Sequence, residues 1–435
     1  MNERTVSARR SAEGTGSVGR LTIPALGLAG FLAILSQSAL GPFLPLIAEA
    51  LGTSVSLLGQ IPAASMLLAS ALGLAIGPLA DRYGQRRALM VGLAAIALTA
   101  VGTSVATTYA ALLAVTLVGA VGRATVLPVA LGIAGGRFGG EARRRAISWA
   151  TAGVSCAPLL GIPLLTTVAE LADWRAAFVA LAALTTVAAL MLWGALGADA
   201  PLSNARGSPR LGSFVAAYAP FARHRPTGLL ILHSLVGNCG IWCVYTYIGA
   251  YWIQEHGLSI QQVGLVTFAQ GVGFLLGSIT MSGPFGRLPP GVPLVGGRIG
   301  TGLLMAGIFI VPLPTLASVL MLSLGGWMSA VSTIATTVTL ANESPAGRAT
   351  TMTLNGSAWS VGIAIGASLG GIVLALGGWP ALGGLSLAFF LAAAALGWLA
   401  RLGPREGLLD RIDKIHRIEQ YETTSSTSCQ SCPKS

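Results

Sequence analysis

The sequence predicts an all-α polytopic membrane protein. Twelve transmembrane helices form two pseudo-symmetric six-helix bundles, with both termini on the cytoplasmic side. Three observations carry this. First, the chain has 435 residues, of which 53% are hydrophobic and only 9% charged; soluble domains carry about 25% charged residues. So little polar residue cannot cover the surface of a soluble core, which excludes an ordinary cytosolic enzyme, and so much apolar residue excludes a disordered chain. Second, charged residues divide the chain into six long charge-poor blocks. Third, the basic residues gather at the block ends.

The blocks are 21–80, 88–136, 146–198, 226–286, 299–342 and 349–400, each 44 to 61 residues long. One membrane helix takes about 20 residues, so each block holds two spans and a turn. The first block breaks at Glu49-Ala-Leu-Gly-Thr, the second at Thr103-Ser-Val-Ala-Thr-Thr-Tyr109 and the third at Glu170-Leu-Ala-Asp-Trp-Arg175. The fourth breaks at Gln254-Glu-His-Gly257, the fifth at Pro312-Leu-Pro314 and the sixth at Gly377-Gly-Trp-Pro380. Gly frees the backbone, Pro removes a donor, and short polar clusters end helices.

The two sides then separate. Block ends and termini hold 24 of the 26 basic residues; Arg175 lies in a mid-block turn and Arg123 inside a span. Lys and Arg stay on the cytoplasmic side, which predicts cytoplasmic termini in a plasma (inner) membrane and outward mid-block turns. The longest polar interruption, 199–225, reads as the linker between halves. The expected organisation is a cytoplasmic tail (1–20), an N-terminal bundle (21–198), the linker, a C-terminal bundle (226–401) and a tail (402–435). Three local echoes support duplication: Gly77-Pro78-Leu79 with Gly283-Pro284-Phe285, Arg145-Ala146 with Arg348-Ala349, and Trp174 with Trp379. Their offsets are 206, 203 and 205 residues. Parallel six-helix repeats characterise one large transporter class.

The formal net charge of +11 is spread between apolar runs with no basic face interleaved with aromatics, so nucleic acid is not an expected partner. Cys156, Cys239 and Cys243 lie in apolar runs as small hydrophobes. Cys429 and Cys432 form a lone C-x-x-C in a Ser/Thr-rich tail, too few ligands for a metal site. No cofactor is expected, and no G-x-x-x-x-G-K-[ST] phosphate loop occurs. The run Leu21 to Ala48 exceeds a cleavable signal's apolar core. Leu408, Leu409, Ile412, Ile415, Ile418 and Tyr421 recur at helical spacing and predict a short amphipathic helix in the tail.

The most specific motif is Gly77-Pro-Leu-Ala-Asp81-Arg82-Tyr-Gly84-Gln85-Arg86-Arg87, in the turn between helices two and three. Gly77 permits close helix approach, Asp81 can accept from a helix N-terminus, and the Arg residues can pair with carboxylates or helix C-terminal carbonyls. This resembles the G-x-x-x-D-R-x-G-R-[KR]-[KR] signature of the major facilitator superfamily, with Gln85 where the family usually has Arg. The resemblance implies that Gly77, Asp81, Arg82, Gly84, Arg86 and Arg87 gate the cytoplasmic side. A second stretch, Gly153-Val-Ser-Cys-Ala157-Pro158-Leu-Leu-Gly161-Ile-Pro163, partially resembles the helix-five motif of the twelve-helix drug-efflux branch, closest to arabinose-efflux-like and chloramphenicol-resistance-like exporters. Its Gly153, Pro158, Gly161 and Pro163 give a bendable helix with small interface residues; ordinary small-residue packing explains them equally well.

The family tends to carry an Arg near the start of helix four, where spacing to Pro128 places Thr116 here. Arg123 lies two turns deeper. An Arg at mid-membrane costs at least about 2.5–3.5 kcal/mol, so it faces the bundle interior or a wet cavity, as a substrate or coupling residue or bonded to backbone carbonyls. No Asp or Glu sits mid-span, which argues against organic cations and for neutral or anionic amphiphiles; His233 is a titratable group near one end of helix seven. In the resembled fold helices one, four, seven and ten line the cavity. The expected substrate residues are therefore Gln37, Arg123, Asn238, Trp242, Tyr245 and Trp327, joined by Asn355 and Trp359 of helix eleven. The resemblance implies a monomeric secondary transporter, not an enzyme, exporting small amphiphilic molecules by alternating access and proton antiport. Sugar or metabolite transport, and a transporter-like receptor without flux, are the alternatives.

Overall fold

The computed structural model describes residues 18–138, 140–196, 224–343 and 348–402. Eleven helices among the described residues are long and apolar enough to cross a membrane. The last such stretch, Leu354–Arg401, runs 48 residues, about 72 Å at helical rise and more than twice a bilayer core. It breaks at Gly378, whose φ of 66° and ψ of −163° are non-helical. Beyond the break the chain reverses along its neighbour. Gly362, Gly366 and Gly370 meet Asn238, Cys239 and Cys243 in rising order. Ser386 then bonds the Gly240 carbonyl and Ala393 meets His233, in falling order. Two antiparallel helices therefore lie on one face of a third, and the spans number twelve.

We label them α1 (Val18–Ser38 continued by Leu40–Leu51), α2 (Gln60–Tyr83), α3 (Gln85–Val105) and α4 (Tyr109–Arg137). Next come α5 (Gly140–Cys156, a π turn at Ala157–Gly161, then Ile162–Leu171) and α6 (Trp174–Ala195). The second set is α7 (Arg225–Tyr245 continued by Ile248–His256), α8 (Ile260–Met281), α9 (Gly291–Ile310), α10 (Thr315–Asn342), α11 (348–377) and α12 (379–402). Every expected mid-block break coincides with a helix end. Gly52, Gly257 and Gly378 supply positive φ at three of them, a conformation L side chains avoid. Thr108 caps α4 by accepting from Ala111 N, and Ser259 with Gln262 forms a capping box on α8.

Helices α1 to α6 pack among themselves, as do α7 to α12; the two sets meet mainly along α2 with α11 and α5 with α8. Close crossings depend on glycine. Gly153 of α5 lies against the Gly27 carbonyl of α1, and Gly30 against the Ala150 carbonyl. Gly273 and Gly277 of α8 lie on the Ser323 and Trp327 carbonyls of α10. Without water to drive association, close van der Waals packing at such small residues holds helices together in a bilayer.

One expectation is corrected. Arg298, which bounds the fifth charge-poor block, lies inside α9 and is 1% exposed. The block boundary was misplaced because α9 already begins at Gly291. The linker residues 197–223, both outer tails and the amphipathic segment 408–421 lie outside the described residues.

Candidate functional site

The two sets of helices close on each other at the face carrying the mid-block turns. Tyr247, fully buried at the break in α7, donates its hydroxyl hydrogen to the Ala367 carbonyl of α11 at 2.7 Å. Its ring is flanked by Gly59, just ahead of α2, and by Gly370 and Gly371 of α11. Gln60 Nε2 donates to the Ser368 carbonyl at 3.1 Å, and Gln261 N donates to Glu170 Oε2 at 3.2 Å. Gly249 of α7 packs on Pro42 of α1. Deeper, Met66 of α2 packs with Ile363 and Ala364 of α11, and Leu159 of α5 lies on Gly271 of α8. Toward the basic face, a Cβ at Gly73 of α2 or Gly356 of α11 would meet nothing within 4 Å among the described residues. The two sets thus meet at the turn face.

The π turn of α5 explains its Gly/Pro motif. Gly153 and Gly161 face α1, where Gly161 lies against Leu35 and Phe31. Pro163 and Thr166 face α8 at Gly264. The motif places one helix tightly on its own set and, across the bulge, on the other set; π turns bend helices in this way.

Below the closure, α7 presents Asn238, Trp242 and Tyr245 at steps of four and three, which share one helix face. Trp242 and Tyr245 meet edge-on with centroids 6.3 Å apart, and Trp242 packs on Met66, Ile363 and Ala364. The side chain of Gln270 on α8 lies beside the Tyr245 hydroxyl. Asn238 donates to the Ser234 carbonyl at 2.8 Å while its buried Oδ1 has no partner. Asn355 Oδ1 is likewise buried without a partner. Trp359, one turn along α11, is 37% exposed. Gln37 is half-buried on α1.

Two expected site residues point elsewhere. Arg123 reaches back along α4: its Nη2 donates to the Ser65 hydroxyl of α2 and to the Thr116 carbonyl, the latter at 2.7 Å. Ser65 in turn donates to the Thr116 carbonyl at 2.9 Å. Helical side chains lean toward the N-terminus, so the guanidinium sits at the level of Thr116 and braces α2 against α4. Trp327 donates its indole hydrogen to Thr280 Oγ1 at 3.1 Å and meets Phe285 edge-on at 5.3 Å; it packs α10 on α8, apart from the α7 cluster. Gln270 was missed by sequence reading. A scan for amides inside apolar runs finds it, because Asn238 and Gln270 are the two in the fourth block that lie away from its mid-block turn.

At the basic face, Gly84 joins α2 to α3 with φ 101°. Arg86 donates to the Trp193 carbonyl of α6 at 2.5 Å and its guanidinium lies 4.0 Å from the Trp193 ring centroid. Arg86 is thus held within its own helix set. The side chains of Gly77, Asp81 and Arg82 lie outside the described residues. Gly84→Ala is expected to cost about 1–3 kcal/mol, because an L residue is strained at this φ. Thermal unfolding of the purified variant measures this.

Residues 26–353 match the Major Facilitator Superfamily. The chain belongs to that superfamily. It is a multi-pass transporter of this type. A curated relative, an uncharacterized MFS-type transporter of Bacillus subtilis (strain 168), is 24% identical over 263 residues, 59% of this chain. The match spans 66% of that relative's length, just under two thirds. Among solved structures, a bacterial homolog to human lysosomal transporter Spinster, in an inward-facing and unoccupied conformation, is 18% identical with a TM-score of 0.70. The match covers 88% of this chain and 97% of that one. The nucleoside transporter NupG is 16% identical with a TM-score of 0.69, covering 89% of this chain and 98% of that one. These superfamily structures share the fold.

Proposed function

We propose that this chain exports small, neutral or anionic aromatic amphiphiles by alternating access, exchanging them for protons, in a plasma (inner) membrane with cytoplasmic termini. The observation that carries the reading is the cluster on α7, where Trp242 meets Tyr245 edge-on and Gln270 of α8 lies beside the Tyr245 hydroxyl; we assign Gln37, Asn355 and Trp359 to the same site. Aromatic faces with a few amides suit an uncharged or weakly acidic ring-bearing molecule. Among the described residues the acidic side chains stand at helix ends, away from the cluster, which disfavours an organic cation. With the basic face cytoplasmic, closure at the turn face is the inward-open state. The six-helix units (21–198 and 226–401), joined by 199–225, are the bodies that rock.

The test is flux in sealed proteoliposomes with an internal pH dye. Probes are chloramphenicol and N-phenyl-1-naphthylamine (neutral), benzoate (anionic), ethidium (cationic) and uridine. Gradient-driven movement of a neutral or anionic probe is expected, with proton flow the other way. Trp242→Ala is expected to reduce it about tenfold or more, as loss of a buried aromatic anchor does. Arg123→Met is expected to lower stability more than substrate affinity, since its hydrogen bonds stay within α2 and α4. Movement of ethidium alone would overturn the proposed substrate class. Movement of uridine alone would favour metabolite transport.

A further inference from the structure

Resting on the proton-antiport reading above, we propose that His233 of α7 binds the coupled proton, at Nε2, and that Thr336 of α10 and Arg298 of α9 set when it is held. The argument begins with elimination. Within the described residues, Glu49, Glu141, Glu170, Asp173, Glu255 and Glu343 stand at or just beyond helix ends, as do His224 and His256. Arg123 and Arg298 do not deprotonate, and Cys and Tyr titrate well above neutrality even when unperturbed. His233 is the remaining described group inside a span whose ordinary range matches physiological pH.

Its hydrogen bonds suit two protonation states. Nδ1 lies 2.7 Å from the Ala393 carbonyl of α12, an acceptor only, so Nδ1 carries a hydrogen. Nε2 lies 3.2 Å from Thr336 Oγ1, and that hydroxyl also lies 2.7 Å from the Ser332 carbonyl. In the neutral ring, the Thr336 hydroxyl donates to Nε2. When Nε2 takes a proton it donates to Thr336 Oγ1, and the hydroxyl turns to Ser332. One hydroxyl rotation thus satisfies either state without moving a helix.

The charged surroundings supply the control. Arg298 lies across Gly237, one turn from His233 on the same face of α7, with its Cζ 2.6 Å from where a Gly237 Cβ would stand. It is 1% exposed, and its buried Nε and Nη1 have no partner. Its charge stands one helical turn from His233. On α10 and α12 the charged groups are Glu343 and Arg401, which pair with each other at 2.9 Å at the helix ends; α11 meets α7 through Gly362, Gly366 and Gly370. An uncompensated guanidinium repels an imidazolium. The inward-open arrangement is therefore the proton-released one. Helices α7 and α9 share the C-terminal unit, so loading requires a shift within that unit as the two units rock: α9 draws away from α7 and Nε2 takes its proton.

His233→Gln separates this from the underlying reading. The expected variant keeps gradient-free exchange of labelled chloramphenicol or benzoate within about twofold and loses gradient-driven accumulation at least about tenfold. Thr336→Val removes the hydrogen bond to the ring in both states, and the charge-assisted bond of the loaded ring is the stronger, so the pH midpoint of transport is expected to move down by about half a unit or more; Arg298→Gln removes a like charge and moves it up. A merely structural role would not shift the midpoint in opposite directions. Gradient-driven transport persisting in His233→Gln overturns the proposal and leaves proton antiport standing. Wild-type exchange with no gradient response overturns proton antiport and this proposal with it. Histidine-selective ¹⁵N NMR in lipid nanodiscs needs no substrate. The resonance lost in His233→Gln is expected to report a protonated Nε2 when disulfides lock the basic face shut, and a bare Nε2 when they lock the turn face shut. The same state under both locks, from pH 5 to 8, overturns the proposal.

Discussion

Gly371→Leu is expected to abolish transport and leave the protein folded. A side chain at this position of α11 collides with the Tyr247 hydroxyl, Gln60 Nε2 and the Ser56 carbonyl at once. Gln60 and Ser56 belong to the N-terminal set, so two of the three collisions fall on the seam between the helix sets; Tyr247 shares the C-terminal set with Gly371. The cross-seam hydrogen bond Gln60 to Ser368 and the bond Tyr247 to Ala367, which holds the ring facing Gly59 from within its own set, are lost together. Each is worth about 0.5–1.5 kcal/mol, and displacing the buried ring adds to this. A loss of about 3–5 kcal/mol on one side of a two-state equilibrium shifts it several hundred-fold or more. The variant should therefore rest open at the turn face. Flux falls at least a hundredfold, while a cysteine at Gln37 becomes reactive to impermeant maleimide from the turn side. Unfolding temperature should change little. A Gly371→Leu protein that still transports normally would show that this seam does not gate.

Gly153→Leu is expected to prevent stable folding. Gly153 lies on the Gly27 carbonyl and close to Phe31 N, backbone on backbone. A flexible side chain can yield to an added group, but a helix backbone yields only if α1 and α5 separate. Overpacking in a tight core costs about 1–3 kcal/mol when side chains absorb it, and more when they cannot. The prediction is loss of monodisperse protein on extraction, or an unfolding temperature lowered beyond that of any cavity-lining variant. Gly194→Leu is the control, since a Cβ there meets nothing within 4 Å, and its stability should match wild type.

The fold was legible because it rests on local chemistry. Each turn is written in residues that end helices for backbone reasons, and Gly52, Gly257 and Gly378 have the positive φ that such positions use. Charge gaps measured span number correctly because each charged side chain is costly in a bilayer. The same rule failed at Arg298, where the costly residue is inside a helix and packs across Gly237 of α7; no local pattern encodes that contact. The site was legible by helix face but not by direction. Asn238, Trp242 and Tyr245 follow from spacing on α7. Whether Arg123 looks into the cavity or back at Ser65 depends on the register of α2 against α4, which sequence spacing does not contain. Tyr247 was passed over for a related reason: its importance comes from Gly59 and Gly371, far apart in the chain and adjacent only in the fold.

The central claim is alternating access about a closed turn face. Distance measurement by pulsed electron resonance on two spin-labelled pairs in nanodiscs tests it most directly. One pair stands at Gly73 and Gly356, where added groups meet open space; the other at Leu57 and Leu376, both exposed at the turn face. The account predicts two populations for each pair that exchange in opposition. As pH or a transported probe shortens the first distance, the second lengthens. A single unchanging distance for both pairs under all conditions, or two that lengthen together, would contradict it.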